Sequence, residues 1–258
     1  MLINGDGVAK DPVRARPLAD RSCSAGVLRG CNALGLVLER GDGGSKDEPR
    51  ALELYRRACD GGEPRGCANL AGVHLTGKLG VRRDPVAAAE LYERACAGAV
   101  ASACTSAGGL HIPGQGARED YSLAAELFRK GCDGGDLDGC NGLATSYARG
   151  AGVAQDYGRA LDLFRRACSG GKGSGCKGLG DMHQSGSGVA ADAVEATRYY
   201  QQSCDLGYSG GCSYLGDALV TGSGVRQDRA RGISLLRRGC RDKYEWACKR
   251  LKDLGERP

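Results

Sequence analysis

The chain has little of what usually fills a globular core: one Trp and two Phe in 258 residues, with aromatics at 5%. Its core must instead consist of Ala, Leu and Tyr carried on closely packed helices. No apolar run is long enough for a membrane-spanning helix. Blocks of a single charge are missing as well. The 36 Lys and Arg are interspersed with 31 Asp and Glu and leave a modest +5, which is not the footprint of a nucleic-acid binder. There is also no Cys-x-x-Cys, the tight spacing that structural zinc normally uses.

Cysteine (14) and glycine (44), by contrast, are abundant. The cysteines form seven pairs of one form, Cys-x(7)-Cys: Cys23 and Cys31, Cys59 and Cys67, Cys96 and Cys104, Cys132 and Cys140, Cys168 and Cys176, Cys204 and Cys212, Cys240 and Cys248. The pairs recur every 36 residues, with one interval of 37. A fixed period of this size is the signature of a repeat solenoid, in which each unit packs on its neighbours. The expected architecture is therefore all-α, a single array of about seven helix pairs over residues 1–258 with a C-terminal cap at 241–258.

One unit, Asp84 to Asp120, shows how the period becomes structure. Asp84 precedes Pro85, a helix start signal, and Asp11, Asp47, Asp120, Asp156, Asp192 and Asp228 hold the same position. Ala88, Leu91, Tyr92 and Ala95 then mark one apolar helical face running into Cys96. Gly-rich segments follow the first cysteines, as at Asp60, Gly61, Gly62 and at Asp133, Gly134, Gly135, where a left-handed glycine C-cap is expected. A second helix carries the second cysteine and, three residues on, Leu34, Leu70, Ala107, Leu143, Leu179, Leu215 or Leu251. It ends in a Gly-x-Gly-Val turn at Gly5–Val8, Gly150–Val153, Gly186–Val189 and Gly222–Val225, while Gly77–Gly80 absorbs the one extra residue.

Ala15, Ala51, Ala88, Ala124, Ala160, Ala196 and Gly232, eight residues before the first cysteines, mark a close helix approach. Tyr55, Tyr92, Phe128, Phe164, Tyr200 and Leu236, four before them, are expected to be core. Because each cysteine pair flanks the turn of a helix hairpin, sequential local disulfides are expected. Closing each loop would stabilise by about 2.5 kcal/mol in the chain-entropy model. Disulfides throughout imply an oxidising compartment: periplasmic, cell-surface or secreted. The opening MLINGDGVAK is no signal peptide, and Leu2–Pro12 repeats Leu75–Pro85, so the chain is expected to be N-terminally truncated within a repeat, its export signal lying upstream.

The Ala-x-x-Leu-Tyr-x-x-Ala-Cys run (Ala88–Cys96, similar at Ala51–Cys59), the Cys-x-x-Leu element and the Gly-x-Gly-Val-x-x-Asp turn together resemble the Sel1-like repeat family. The resemblance covers essentially the whole chain and is nearest the cysteine-rich, Hcp-type branch of this tetratricopeptide-like superfamily. It implies an α/α superhelix with one disulfide per repeat that serves as an adaptor or scaffold. Described roles in the branch also imply two alternatives: a penicillin-binding protein or weak β-lactamase, and a metal or haem handling and assembly factor.

Neither alternative finds strong residues. Ser169 with Lys172 and Ser174 with Lys177 match Ser-x-x-Lys, but no Ser-Asp-Asn or Lys-Thr-Gly element supports them, and both are expected at the surface. Gly72–Lys78 has the spacing of a phosphate loop but continues with Leu79, where Ser or Thr would hold magnesium. His74, His111 and His183 share one repeat position with Tyr147, Leu38 and Leu219, so a packing role competes with metal or haem contact. The pairs Arg56–Arg57, Arg129–Lys130, Arg165–Arg166 and Arg237–Arg238 form a basic stripe that complements the helix dipoles. The reading is a monomeric, non-enzymatic scaffold that needs no metal or cofactor and binds a protein or peptide on the concave face. Its expected contacts are His74, His111, Tyr147, His183 and Tyr214.

Overall fold

The computed structural model describes residues 11–257. The repeat of Leu2–Pro12 and the Gly5–Val8 turn therefore lie largely outside the described residues. Those residues form fourteen α-helices and no strand, and the chain divides into two compact units after Asp136. The first unit holds α1 (Pro12–Ser24), α2 (Leu28–Arg40), α3 (Glu48–Asp60), α4 (Pro64–Thr76), α5 (Pro85–Ala97), α6 (Ala101–Leu110) and α7 (Tyr121–Asp133). The second holds α8 (Leu137–Arg149), α9 (Tyr157–Ser169), α10 (Gly173–Ser185), α11 (Ala193–Asp205), α12 (Ser209–Thr221), α13 (Arg229–Arg241) and α14 (Glu245–Asp253).

Every odd-numbered helix starts where an Asp caps it. Asp11, Asp47, Asp84, Asp120, Asp156, Asp192 and Asp228 each accept a backbone N–H of the first turn at 2.9–3.1 Å. The same Asp residues, from Asp47 onward, tie the preceding helix down. Their own N–H donates to the carbonyl of Leu38, His74, His111, Tyr147, His183 or Leu219 at 2.8–3.1 Å. One residue type thus starts a helix and fixes the loop that leads to it.

The left-handed turn after the odd helices is made by the second glycine of each segment. Gly61 has φ −76° and Gly134 φ −74°, so neither is the left-handed residue. That conformation belongs to Gly62 (φ 89°) and Gly135 (φ 90°), and at the equivalent place Ala99 (φ 61°) and Lys243 (φ 64°) adopt it without glycine. Glycine at the earlier position answers to packing instead. A Cβ on Gly134 would press on Ala101 at 2.7 Å, at the start of α6.

Within the hairpins the cysteines meet as the spacing predicts. Cys23–Cys31, Cys59–Cys67 and Cys96–Cys104 are bridged in the first unit, and Cys168–Cys176, Cys204–Cys212 and Cys240–Cys248 in the second, with Cα atoms 4.4–4.7 Å apart. Cys132 and Cys140 are also disulfide-bonded, and no described cysteine is free.

The core is a ladder of the repeated apolar positions. Leu34, Leu70, Ala107, Leu143, Leu179, Leu215 and Leu251 are all buried, as are Ala15, Ala51, Ala88, Ala124, Ala160 and Ala196. A second small-residue row lies four after the second cysteine, Gly35, Ala71, Gly108, Ala144, Gly180 and Gly216, and it packs on the following odd helix. A Cβ on Gly108 would lie 3.0 Å from the Ala124 carbonyl, and one on Gly216 2.8 Å from that of Gly232. Among the described residues no helix is long and apolar enough to cross a membrane.

Candidate partner-binding site

The even-numbered helices carry the side chains that vary from repeat to repeat, and the second unit gathers most of the unusual ones. A cleft of about 290 Å³ opens between α8 and α10, walled by Asn141, Thr145, Ser174, Lys177 and Asp181 and floored by Phe164 of α9. Gly178 leaves room for the Phe164 ring, which a Cβ there would strike. Lys177 Nζ donates to the Asp181 carboxylate at 2.6 Å and lies 4.4 Å from the centre of the Tyr214 ring. Asp181 also accepts from Tyr200 Oη at 3.0 Å. Burial first, then the Asp181 charge and hydrogen bond, push the Tyr200 hydroxyl far above the ordinary tyrosine range.

Beyond Lys177 the few aromatics of the chain collect. Tyr214 stacks on Trp246 with ring centres 4.3 Å apart and packs against Tyr200 at 5.2 Å, while Tyr244 tilts toward Trp246 at 6.4 Å. Arg250 pairs with Asp217 beside them. Tyr214, Tyr244 and Trp246 remain half-buried.

Of the five expected contact residues, Tyr214 alone belongs to this cluster. Tyr147 is half-buried and its hydroxyl accepts from Arg159 at 3.1 Å. His183 stacks on Tyr199 of α11, ring centres 5.5 Å apart, and His74 is half-buried in the first unit. His111 is 7% exposed, the most enclosed of the three histidines. These are the surroundings of a packing position, and the carbonyls of all four bond the next Asp cap. Among the described residues no group of three or more His, Cys, Asp or Glu could hold a metal ion.

His111 holds both ring nitrogens against acceptors, Nδ1 on the Arg118 carbonyl at 2.8 Å and Nε2 on the Glu93 carboxylate at 2.7 Å. A neutral imidazole donates only one of these bonds, so the pair fits the imidazolium. Burial opposes the charge, but the Arg118 carbonyl and Glu93 outweigh it and raise the His111 pKa. A raised folded-state pKa stabilises fully below the unfolded value and loses that stabilisation as pH rises through the folded value. The stability gap between the parent and His111→Gln should therefore narrow from pH 5.5 to pH 8.5 in urea titrations. An unchanged gap would show that His111 is neutral in the fold.

The Ser-x-x-Lys matches separate. Ser169 is exposed and donates back to the Arg166 carbonyl, while Lys172 pairs with Asp138. Ser174 and Lys177 are not simple surface residues, since both line the cleft, where the Lys177 ammonium is committed to Asp181 and Tyr214. Arg57 of the basic stripe and Arg94, which holds the equivalent place two before a first cysteine, have a reach the sequence does not reveal. Arg94 Nη2 donates to the Cys59 carbonyl at 3.0 Å and Arg57 to that of Cys23 at 3.5 Å, capping the odd-numbered helix one repeat back.

Helix hairpins in series, Asp-capped and each closed by a cystine, define a disulfide-stapled α/α repeat protein. The Sel1 repeat model matches residues 1–27, 28–63, 64–99, 101–136, 137–172, 174–208 and 209–244, and the chain belongs to the Sel1 repeat family. Its bridge in each repeat sets it with the cysteine-rich branch. In the family's phase Cys59 and Cys67 fall in consecutive matches, so this bridge staples one match to the next, while Cys240–Cys248 joins the last match to the residues after it. A protective antigen of uropathogenic Escherichia coli with an SLR fold is 27% identical, at TM-score 0.76, over 98% of this chain and 54% of its own. This chain thus spans about half of that antigen's length. A Sel1 repeat protein from Oxalobacter formigenes is 21% identical at TM-score 0.77, over 87% of this chain and 96% of its own. Helicobacter pylori cysteine rich protein B is 27% identical at TM-score 0.41, over 51% of this chain and 94% of its own. No curated protein matches.

Proposed function

We propose that the protein is a non-enzymatic scaffold that recognises a protein partner on its even-numbered helices, in an oxidising compartment outside the cytoplasm. Sel1 repeat proteins mediate protein interactions, and cystines along the whole chain suit such a compartment. The observation that carries the reading is the second unit's half-exposed cluster, Lys177, Asp181, Tyr214, Tyr244 and Trp246, beside a cleft of about 290 Å³. Aromatic and cationic side chains grouped in this way are the usual energetic centre of a protein interface. Tyr147 and His183 of the same unit would border it, His74 and His111 would add contacts within the first unit, and the chain would act as a monomer.

The test is capture from an oxidising extract followed by a binding titration of the captured partner. Alanine at His74, Tyr147, His183 and Tyr214 together, in a chain whose far-ultraviolet circular dichroism stays helical, should weaken binding at least tenfold. Unchanged affinity would move the partner to the odd-numbered helices. The enzymatic alternative has its own test, because Ser174 and Lys177 share the cleft. Hydrolysis of a chromogenic β-lactam should stay at the level of a mock preparation. Turnover abolished by Ser174→Ala would overturn the non-enzymatic reading.

A further inference from the structure

The cleft between α8 and α10 holds a polar group that the fold itself leaves unused. Asn141 lines it, one residue after a second cysteine, and its Oδ1 is buried with no hydrogen bond. A buried acceptor without a donor is destabilising, and native structures keep few of them. The first unit shows what this repeat position does when it is satisfied. Asn32, likewise one residue after a second cysteine, accepts at 2.7 Å from the side-chain amide of Asn69 on the next even helix. The residue equivalent to Asn69, two after the following second cysteine, is Gly178 in the second unit. The amide donor is therefore missing where the cleft opens, and the Phe164 ring lies against Gly178, where a Cβ would sit 2.6 Å from Phe164 Cδ1.

We propose that this cleft takes an amide group of a partner polypeptide, whose N–H replaces the missing Asn69-like donor and bonds Asn141 Oδ1. The amide is a backbone peptide group or an Asn or Gln side chain, two sources of one chemistry. Thr145 and Ser174 flank it with hydroxyls, and the Lys177–Asp181 pair bounds one wall with its charges already matched. A neutral donor fits this lining better than a free carboxylate or ammonium would, since either ion would meet a charge already paired. The inference deepens the partner-binding reading and rests on it.

The probe is a dodecapeptide selected by phage display against the full, disulfide-bonded chain. Its backbone is scanned by N-methylation and its Asn and Gln residues by alanine. One amide should prove critical: removing it should cost about tenfold in Kd against the parent chain and less than twofold against Asn141→Ala, the coupling expected of a direct bond. An N-methyl position identifies a backbone source and an alanine position a side-chain source. A second measurement needs no ligand. Asn141→Ala should not lower Tm, because its acceptor is unused in the free protein, whereas Asn32→Ala should lower it by leaving Asn69 unpaired. The inference is overturned if no peptide is enriched, if no amide couples to Asn141, or if Asn141→Ala is the more destabilising variant. A peptide insensitive to Asn141 but weakened by Tyr147→Ala or Tyr214→Ala would overturn this inference and leave the partner-binding reading standing.

Discussion

Replacing Cys168 and Cys176 together by alanine should lower the unfolding free energy by about 2.5 kcal/mol, measured by urea titration. The bridge closes a short loop at sequence separation 8, so the chain-entropy model gives a modest value for one link. Both residues are buried, Cys168 at 5% and Cys176 at 0% exposure, and the lost sulfurs add a packing defect in the same direction. Nearest-neighbour coupling makes an interior repeat the place where the loss reaches furthest. Removing Cys240 and Cys248 should do less, because both are only half-buried and α14 lies at the end of the array with nine residues. A loss under about 0.5 kcal/mol for the interior pair would mean that helix packing alone carries the hairpins.

The second large effect separates two glycines in the middle of even-numbered helices. Gly180→Val should destabilise by about 2–3 kcal/mol, because a Cβ there would lie 2.6 Å from Tyr200 Cδ1, with the Tyr200 ring 3% exposed and tied to Asp181. The ring has no room to retreat. Gly72→Ala should act in the opposite direction, by about 0.5–1 kcal/mol, the ordinary helix propensity difference. A Cβ at Gly72 would meet only Tyr92 Oη, at 3.6 Å. Thermal melts of the two variants should therefore shift with opposite signs. Two shifts of the same sign would remove close helix approach as the reason for glycine at position 180.

How much of this was legible in the sequence depended on whether the signal repeated. The Asp caps and the cystine spacing recur seven times and the Leu ladder six, with Ala107 in the remaining repeat, and each is a local matter of capping, periodicity or loop closure. The sequence leaves the left-handed residue after the odd helices open, because Gly61 and Gly62 are adjacent and either could turn the chain. The dihedral angles and the tolerance of Ala99 decide for the second position. Contacts one repeat apart were harder. Arg94 reaching the Cys59 carbonyl follows from how helices stack, and nothing in either residue's own neighbourhood reports it.

The site was the least legible part. His74, His111 and His183 drew attention as rare, aligned residues, yet they occupy a packing position. The side chains that gather, Lys177, Tyr214 and Trp246, lie at three different places in their repeats, one after, two after and two before a second cysteine. One signal was present but offset between repeats: the residue after one second cysteine must be compared with the second residue after the next. Asn32 with Asn69 and Asn141 with Gly178 differ at that pairing.

Non-reducing peptide mapping of the oxidised protein tests the central claim most directly, that each helix hairpin is closed by its own local cystine. Seven bridges, each joining cysteines eight residues apart, with no free thiol, are the predicted result. A bridge between hairpins, such as Cys31 to Cys59, or a stoichiometric free thiol in the folded protein would contradict it.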